Sequence, residues 1–253
     1  MLFGAAILAG YLTCVRAYDR RYPHRRFGRG RVAAFCAGVV VATAAFSPAI
    51  DGLVDRSFAA HMTQHLALAL IVPPLLLLGA PLLLAVALPP PRAARAIARI
   101  ARHPLVLAFA SPVVAWLLFV AVLWGIHFSP LYDLALRYEG AHVVEHGLLF
   151  TSALLFWLPV VQVGYAPLPV AFPVRLFYLF LAIPQGAFLG LAIYASQRVL
   201  YPHYLVGRTV AAALADQQNA GAVMWIGGGA LLFAAFMLTG VAWAARDHRE
   251  AIA

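Results

Sequence analysis

Residues 57–91 read SFAAHMTQHLALALIVPPLLLLGAPLLLAVALPPP, Ser57 to Pro91, without one Asp, Glu, Arg or Lys. A membrane-spanning helix needs about 20 consecutive apolar residues. This run is long enough to cross a bilayer and exceeds a single straight crossing. Pro73 and Pro74 remove backbone donors near its middle, which predicts a kink or an unwound turn there. The Gly79-Ala80-Pro81 step predicts a second bend near the inner face. Two histidines, His61 and His65, lie four residues apart at its start.

The rest of the chain has the same character. Of 253 residues, 64% are hydrophobic and 11% charged, and the mean hydropathy is +0.88. A soluble domain carries about 25% charged residues, so a soluble globule, a disordered chain, a coiled coil and a disulfide scaffold are all excluded. The expected fold is an all-α polytopic membrane bundle, a single integral domain over 1–253. Seven apolar stretches are candidate transmembrane helices, at about 1–17, 32–50, 58–80, 104–126, 140–160, 173–195 and 217–243. The first lacks a basic leader and is followed by Arg20, Arg21, Arg25 and Arg26, which fits an anchor better than a cleaved signal. Cys14 and Cys36 lie in apolar segments with no CxxC or CxxxC spacing, so no redox motif is indicated.

The net charge of +9 comes from 18 arginines and no lysine. They cluster in short loops between apolar stretches, so membrane topology explains them and nucleic acid does not. Fourteen of them, in the segments 16–31, 92–102, 175 and 246–249, fall on one side. Arg56, Arg137, Arg198 and Arg208 fall on the other. Cytoplasmic loops carry the excess of Arg, which predicts the N-terminus outside and the C-terminus in the cytoplasm.

On this topology His24, His103 and His248 are interfacial residues of the cytoplasmic side, and the other six of the nine histidines fall on the outer half. Four of the six form two HxxxH pairs, His61/His65 and His142/His146. On a helix, positions i and i+4 differ by only about 40° around the axis, with Cβ atoms about 6 Å apart. Both rings of a pair therefore point the same way, at a spacing suited to one metal ion. Both helices enter from outside, so the pairs share a depth and can present four imidazoles to one site. Imidazole suits Zn, Cu, Fe and Ni, and a thioether neighbour favours Cu(I). Met62 borders the His61/His65 face as a candidate ligand, and Met224 is a second thioether, in the seventh stretch. Glu145 lies behind His142 and can hydrogen-bond a ligating ring. Asp216, in Asp216-Gln217-Gln218-Asn219, either caps the seventh helix or borders the metal. His203 and His127 are outer-face residues with a weaker claim as ligands.

These residues resemble a known family. The stretch His61 to His65 followed by Pro73-Pro74 and Gly79-Ala80-Pro81, the His142-x-x-Glu145-His146 motif with Phe156-Trp157-Leu158-Pro159, the Tyr201-Pro202-x-Tyr204 turn, and Asp216-Gln217-Gln218 to Met224-Trp225 are similar to the membrane CtaG family of cytochrome c oxidase assembly factors. The resemblance runs in order from about Ser47 onward. It implies a multi-pass protein of the bacterial inner membrane, not an enzyme, that helps to mature a haem–copper oxidase through copper delivery. Its partners would be oxidase subunits, periplasmic copper chaperones and the lipid bilayer. The matching motif positions are His61, Met62, His65, His142, Glu145, His146 and Asp216. Three alternatives stay open at the level of sequence. Haem could be ligated axially, for example by His65 and His146, in an electron carrier or oxidoreductase. The chain could be a copper transporter, although the third and fifth stretches carry few polar groups below His65 and His146. It could also be a scaffold in which the histidines are structural.

Overall fold

The computed structural model describes residues 2–166 and 168–252. Among them every regular element is a helix. In chain order these are α1 (Leu2–Arg21), α2 (Arg29–Ala45), α3 (Pro48–Val54), α4 (Phe58–Leu66), α5 (Val72–Leu78), α6 (Pro81–Ala87), α7 (Pro91–Ala101), α8 (Pro104–Phe109), α9 (Pro112–Phe128), α10 (Pro130–Ala135), α11 (Glu139–Trp157), α12 (Phe172–Ala195), α13 (Val210–Ala222) and α14 (Gly228–Ile252). Eight of the fourteen have proline at the first or second helical position, where a missing N–H costs nothing because no intrahelical partner exists.

Helix occupies each of the seven apolar stretches, in one piece or several. Phe58–Ala87, Phe172–Ala195 and Val210–Ala251 are long and apolar enough to cross a membrane, and a fourth crossing results if α2 and α3 count as one span bent by 56°. That is fewer than the seven expected, for physical reasons. Ser111-Pro112 ends α8 and restarts the helix as α9, so the 104–126 stretch is divided, and α9 alone has 17 residues. Within α11 the polar His142, Glu145 and His146 dilute its apolar character. The seventh helical run begins at Val210, not near 217, because the Thr209 hydroxyl accepts from Ala212 N and caps it there.

The long third run keeps its direction by a device the prolines alone do not imply. A π-helical turn, Ala67–Ile71, precedes Pro73 and Pro74, which then stand in the first turn of α5. The indole N–H of Trp157 donates to the Ala69 carbonyl at 2.9 Å, so a carbonyl near the prolines is satisfied from α11. The helix is interrupted at Gly79–Pro81, the expected site of a bend: Ala80 takes the left-handed conformation, φ 48°, between α5 and α6. A second π-turn, Val223–Gly227, joins α13 to α14.

Packing is inside-out relative to a soluble protein. Phe177, Phe180, Phe188, Leu238 and Val241 are each more than half exposed, an apolar outer surface that hydrocarbon solvates and water does not. Polar groups gather within. His61, Gln64, His65, His127, Glu145, His146 and Gln217 are buried, inside a core built from Phe58, Met62, Tyr132, Leu149, Phe156 and Leu189 among others. A smaller core lies where Tyr11 stacks on Phe35 and donates to the Gly79 carbonyl at 2.9 Å. α12 approaches α13 closely at Gly190 and Gly221. A Cβ added at Gly190 would stand 2.6 Å from Trp225 N and 2.7 Å from Gly221 O. Neither backbone atom can move aside locally, so the small residues permit the approach. Gly190→Ala is therefore expected to cost about 1–3 kcal/mol by overpacking. Thermal unfolding of the detergent-solubilised protein checks this: the midpoint falls for Gly190→Ala and is unchanged for Gly186→Ala, where an added Cβ meets nothing.

Candidate metal centre

α4 and α11 face each other across the core and bring the two HxxxH pairs together. The ring centroids of His61 and His65 lie 4.4 Å apart, and those of His142 and His146 lie 4.3 Å apart. Between the helices, His61 is 5.4 Å from His142 and 5.7 Å from His146, and His65 is 5.2 Å from His146. Glu145 stands at the middle rather than behind the rings. Its Oε2 is 3.8 Å from His61 Nε2 and its Oε1 is 3.5 Å from His65 Nε2. One donor atom from each of His61, His142, Glu145 and His146 falls within 4.8 Å of all the others. Around a tetrahedral ion with bonds of about 2.0–2.1 Å, donor atoms lie about 3.3 Å apart, so modest side-chain closure would complete such a shell.

The donor atoms are held ready but unpaired. His61 Nε2, His65 Nδ1 and Nε2, His142 Nε2, both Glu145 carboxylate oxygens and His146 Nε2 are buried without a hydrogen-bond partner. Buried polar atoms are nearly always partnered, so this many orphans in one place mark a site for a ligand. The far nitrogen of His61 is occupied. Its Nδ1 lies 3.1 Å from the Tyr132 hydroxyl and 3.2 Å from that of Tyr204. Tyr204 donates its own proton to the Val54 carbonyl, leaving its oxygen free to accept from Nδ1–H. With Nδ1–H donating to a hydroxyl, Nε2 carries the lone pair and is free to ligate. Burial raises the pKa of both phenols above the ordinary tyrosine value, so they remain neutral hydroxyls. Phe46, at the α2–α3 bend, places its ring edge-on to His146 at 5.5 Å. Gln64 secures the same bend by donating to the Ala45 carbonyl at 2.8 Å.

Asp216 has a role that neither expectation for it describes. It lies within α13 and does not cap that helix, and its carboxylate is engaged away from the cluster. It accepts from Ser57 Oγ at 2.8 Å, Phe58 N at 2.9 Å and Ala59 N at 3.3 Å, and pairs with Arg208 at 3.0 Å. With Ser57 Oγ taking the Ala60 N–H, the first N–H groups of α4 are satisfied from another helix. Met62 does not point at the quartet. Its thioether lies 3.3 Å from His127 Nε2, because the residue after His61 is turned by about 100° around the helix. Met224 is buried in the second π-turn. His203 is half-buried beside Tyr204 and is not among the converging donors.

Sequence reasoning overlooked Tyr132, and it read Tyr204 as a motif position without a role. The one available signal was the Tyr201-Pro202-x-Tyr204 turn, in which Tyr201 also donates to the His127 carbonyl at 2.9 Å.

Comparison with known proteins places the chain in a family. The family model described as cytochrome c oxidase caa3 assembly factor (Caa3_CtaG) matches residues 9–246. The chain belongs to that family. Family relatives occur in mycobacteria. An uncharacterized protein of Mycobacterium tuberculosis is 26% identical over 98% of this chain, and one of Mycobacterium leprae is 27% identical over 100% of it. In both cases the match takes in 39% of the relative's own length, so the chain spans about two fifths of these curated relatives. No solved structure matches it.

The hydroxyl pair on His61 makes a direct prediction for this family member. Tyr132→Phe and Tyr204→Phe together leave Nδ1 unanchored. Metal affinity should fall by about 10–100-fold with little change in helix content, as measured by competitive metal titration alongside circular dichroism.

Proposed function

We propose that this caa3 assembly factor binds copper in the cluster of His61, His142, Glu145 and His146, with His65 beside it, and supplies the ion during assembly of a haem–copper oxidase. The observation that carries this reading is the convergence of buried, unpartnered nitrogen and carboxylate donors from two helices. Family membership supports the process, and the donor set is compatible with copper as the cargo. Three imidazoles and a carboxylate suit a borderline transition ion such as copper.

The proposal includes the setting. The chain is one integral domain crossing the bacterial inner membrane seven times, with its N-terminus and the metal cluster on the outer side. Shorter and broken helices such as α8–α9 and the polar α11 make up the crossings beyond the apolar ones, with their polar groups turned to the interior. The arginine asymmetry supports this orientation, and the exposed arginines Arg92, Arg95 and Arg99 of α7 fit the cytoplasmic surface. The role is non-enzymatic: the ion is cargo, received from a periplasmic copper chaperone and released to an oxidase subunit. A bare ion is favoured over haem because the His65 and His146 rings are 5.2 Å apart and nearly perpendicular, leaving no slot for a macrocycle between them. A transporter reading is disfavoured because below the histidines the core is Leu149, Ala153, Phe156 and Leu179.

Two experiments test this. Purified protein should contain copper by elemental analysis, and the His142→Ala, Glu145→Gln, His146→Ala variant should lose it together with oxidase maturation in cells. Copper content equal to wild type in that variant would sink the site. Separately, a reporter fused after Ala253 should be active only in the cytoplasm; periplasmic activity would invert the topology.

A further inference from the structure

A second group of donors lies on the other side of His65. Met62, His65, His127 and Met224 line one cavity of about 40 Å³ whose remaining walls, Leu66, Phe119 and Leu123 among them, are apolar. All four donors are buried, Met62 completely. His127 Nδ1–H donates to the Leu123 carbonyl at 2.7 Å. That bond fixes the proton on Nδ1 and leaves Nε2 as a bare lone pair. Nε2 then faces the Met62 sulfur at 3.3 Å, a second lone-pair donor with no proton to share. Two acceptors buried against each other gain nothing unless something electron-poor joins them. His65 lines the same cavity with both ring nitrogens unpartnered.

We infer that Met62, Met224, His127 and His65 form a second metal pocket, selective for monovalent copper. Two thioethers and two neutral imidazoles make a soft donor set without charge, and soft sulfur selects Cu(I). No carboxylate lines the cavity, so a divalent ion would bring two uncompensated charges into an apolar space, whereas Cu(I) brings one. The backbone is shaped for it. Ala69 and Leu70 reach the cavity from the π-turn Ala67–Ile71, and Met224 from the π-turn Val223–Gly227. Such turns are rare and concentrate at functional sites.

His65 is the wall between the two groups. Its Nε2 is 3.5 Å from Glu145, its ring centroid is 5.2 Å from His146 and 5.9 Å from His127, and it lines the sulfur cavity. A Cu(I) ion can thus exchange between the carboxylate–imidazole cluster and the thioether pocket with His65 as a donor common to both, and no electron need move. The inference relies on the proposed copper role only for the identity of the ion.

The test uses the full chain in detergent, loaded anaerobically with Cu(I) against a chromogenic Cu(I) chelator, with X-ray absorption at the copper edge. Wild type should retain two ions per chain and show sulfur scattering. Met62→Leu with Met224→Leu, near-isosteric changes that preserve packing, should lose one ion and all the sulfur scattering. His142→Ala, Glu145→Gln, His146→Ala should lose the other ion and keep the sulfur scattering. A wild type with only the sulfur-bound ion would remove the proposed His/Glu site and leave the pocket standing. Wild-type protein without sulfur scattering, or a methionine variant with undiminished Cu(I), would overturn the pocket even if the His/Glu site binds copper.

Discussion

Glu145 is completely buried, among imidazoles and apolar side chains, with no hydrogen-bond donor in reach of either oxygen. A carboxylate at membrane depth is expensive unless a cation or a proton accompanies it. Much of the surrounding architecture holds groups at fixed positions around this one carboxylate. α4 delivers two rings from one side and α11 two from the other. Tyr132 and Tyr204 fix the far nitrogen of His61, and Phe46 braces His146. A site that merely tolerated polar residues would pair them with one another; here seven of the buried unpartnered polar atoms belong to His61, His65, His142, Glu145 and His146.

The large features were legible in the sequence because they follow from local arithmetic. Composition dictates a membrane protein, and the i, i+4 spacing of His61/His65 and His142/His146 dictates rings on one helix face. The similar depth of the pairs followed from two helices entering from the same side. What the sequence concealed is tertiary. Asp216 sits at a spacing that suggests a local cap, yet it completes a helix 158 residues away in the chain. Met62 adjoins His61 in sequence and serves a different group of donors, since one helical step is about 100°. Pro73 and Pro74 announce a disturbance without saying which kind, and the adjacent π-turn carries no signature of its own in the residues Ala67–Ile71. Tyr132 stands in a short helix between stretches, where nothing local distinguishes it from an interfacial tyrosine.

The division of labour among glycine, proline and aromatic residues is consistent along the chain. Proline begins helices, glycine permits the α12–α13 crossing, and ring hydroxyls and indoles reach across the core to satisfy carbonyls, as Trp157 does for Ala69 and Tyr178 for Phe156. Each device removes a backbone cost that lipid would otherwise enforce. Polar residues without that duty are then conspicuous, and they collect around His65.

One ion pair ties the loop before α13 to the start of α4. Arg208 holds Asp216, and Asp216 holds the opening turn of α4, three residues before His61. The loop and the ligand are thus two arms of one lever with a carboxylate as fulcrum. If the proposed ion binds at His61, thermodynamic reciprocity would apply: a partner that drew Arg208 away would change the affinity for the ion by some factor, and the ion would change the affinity for that partner by the same factor. Loading and docking are in that sense a single equilibrium read from two ends.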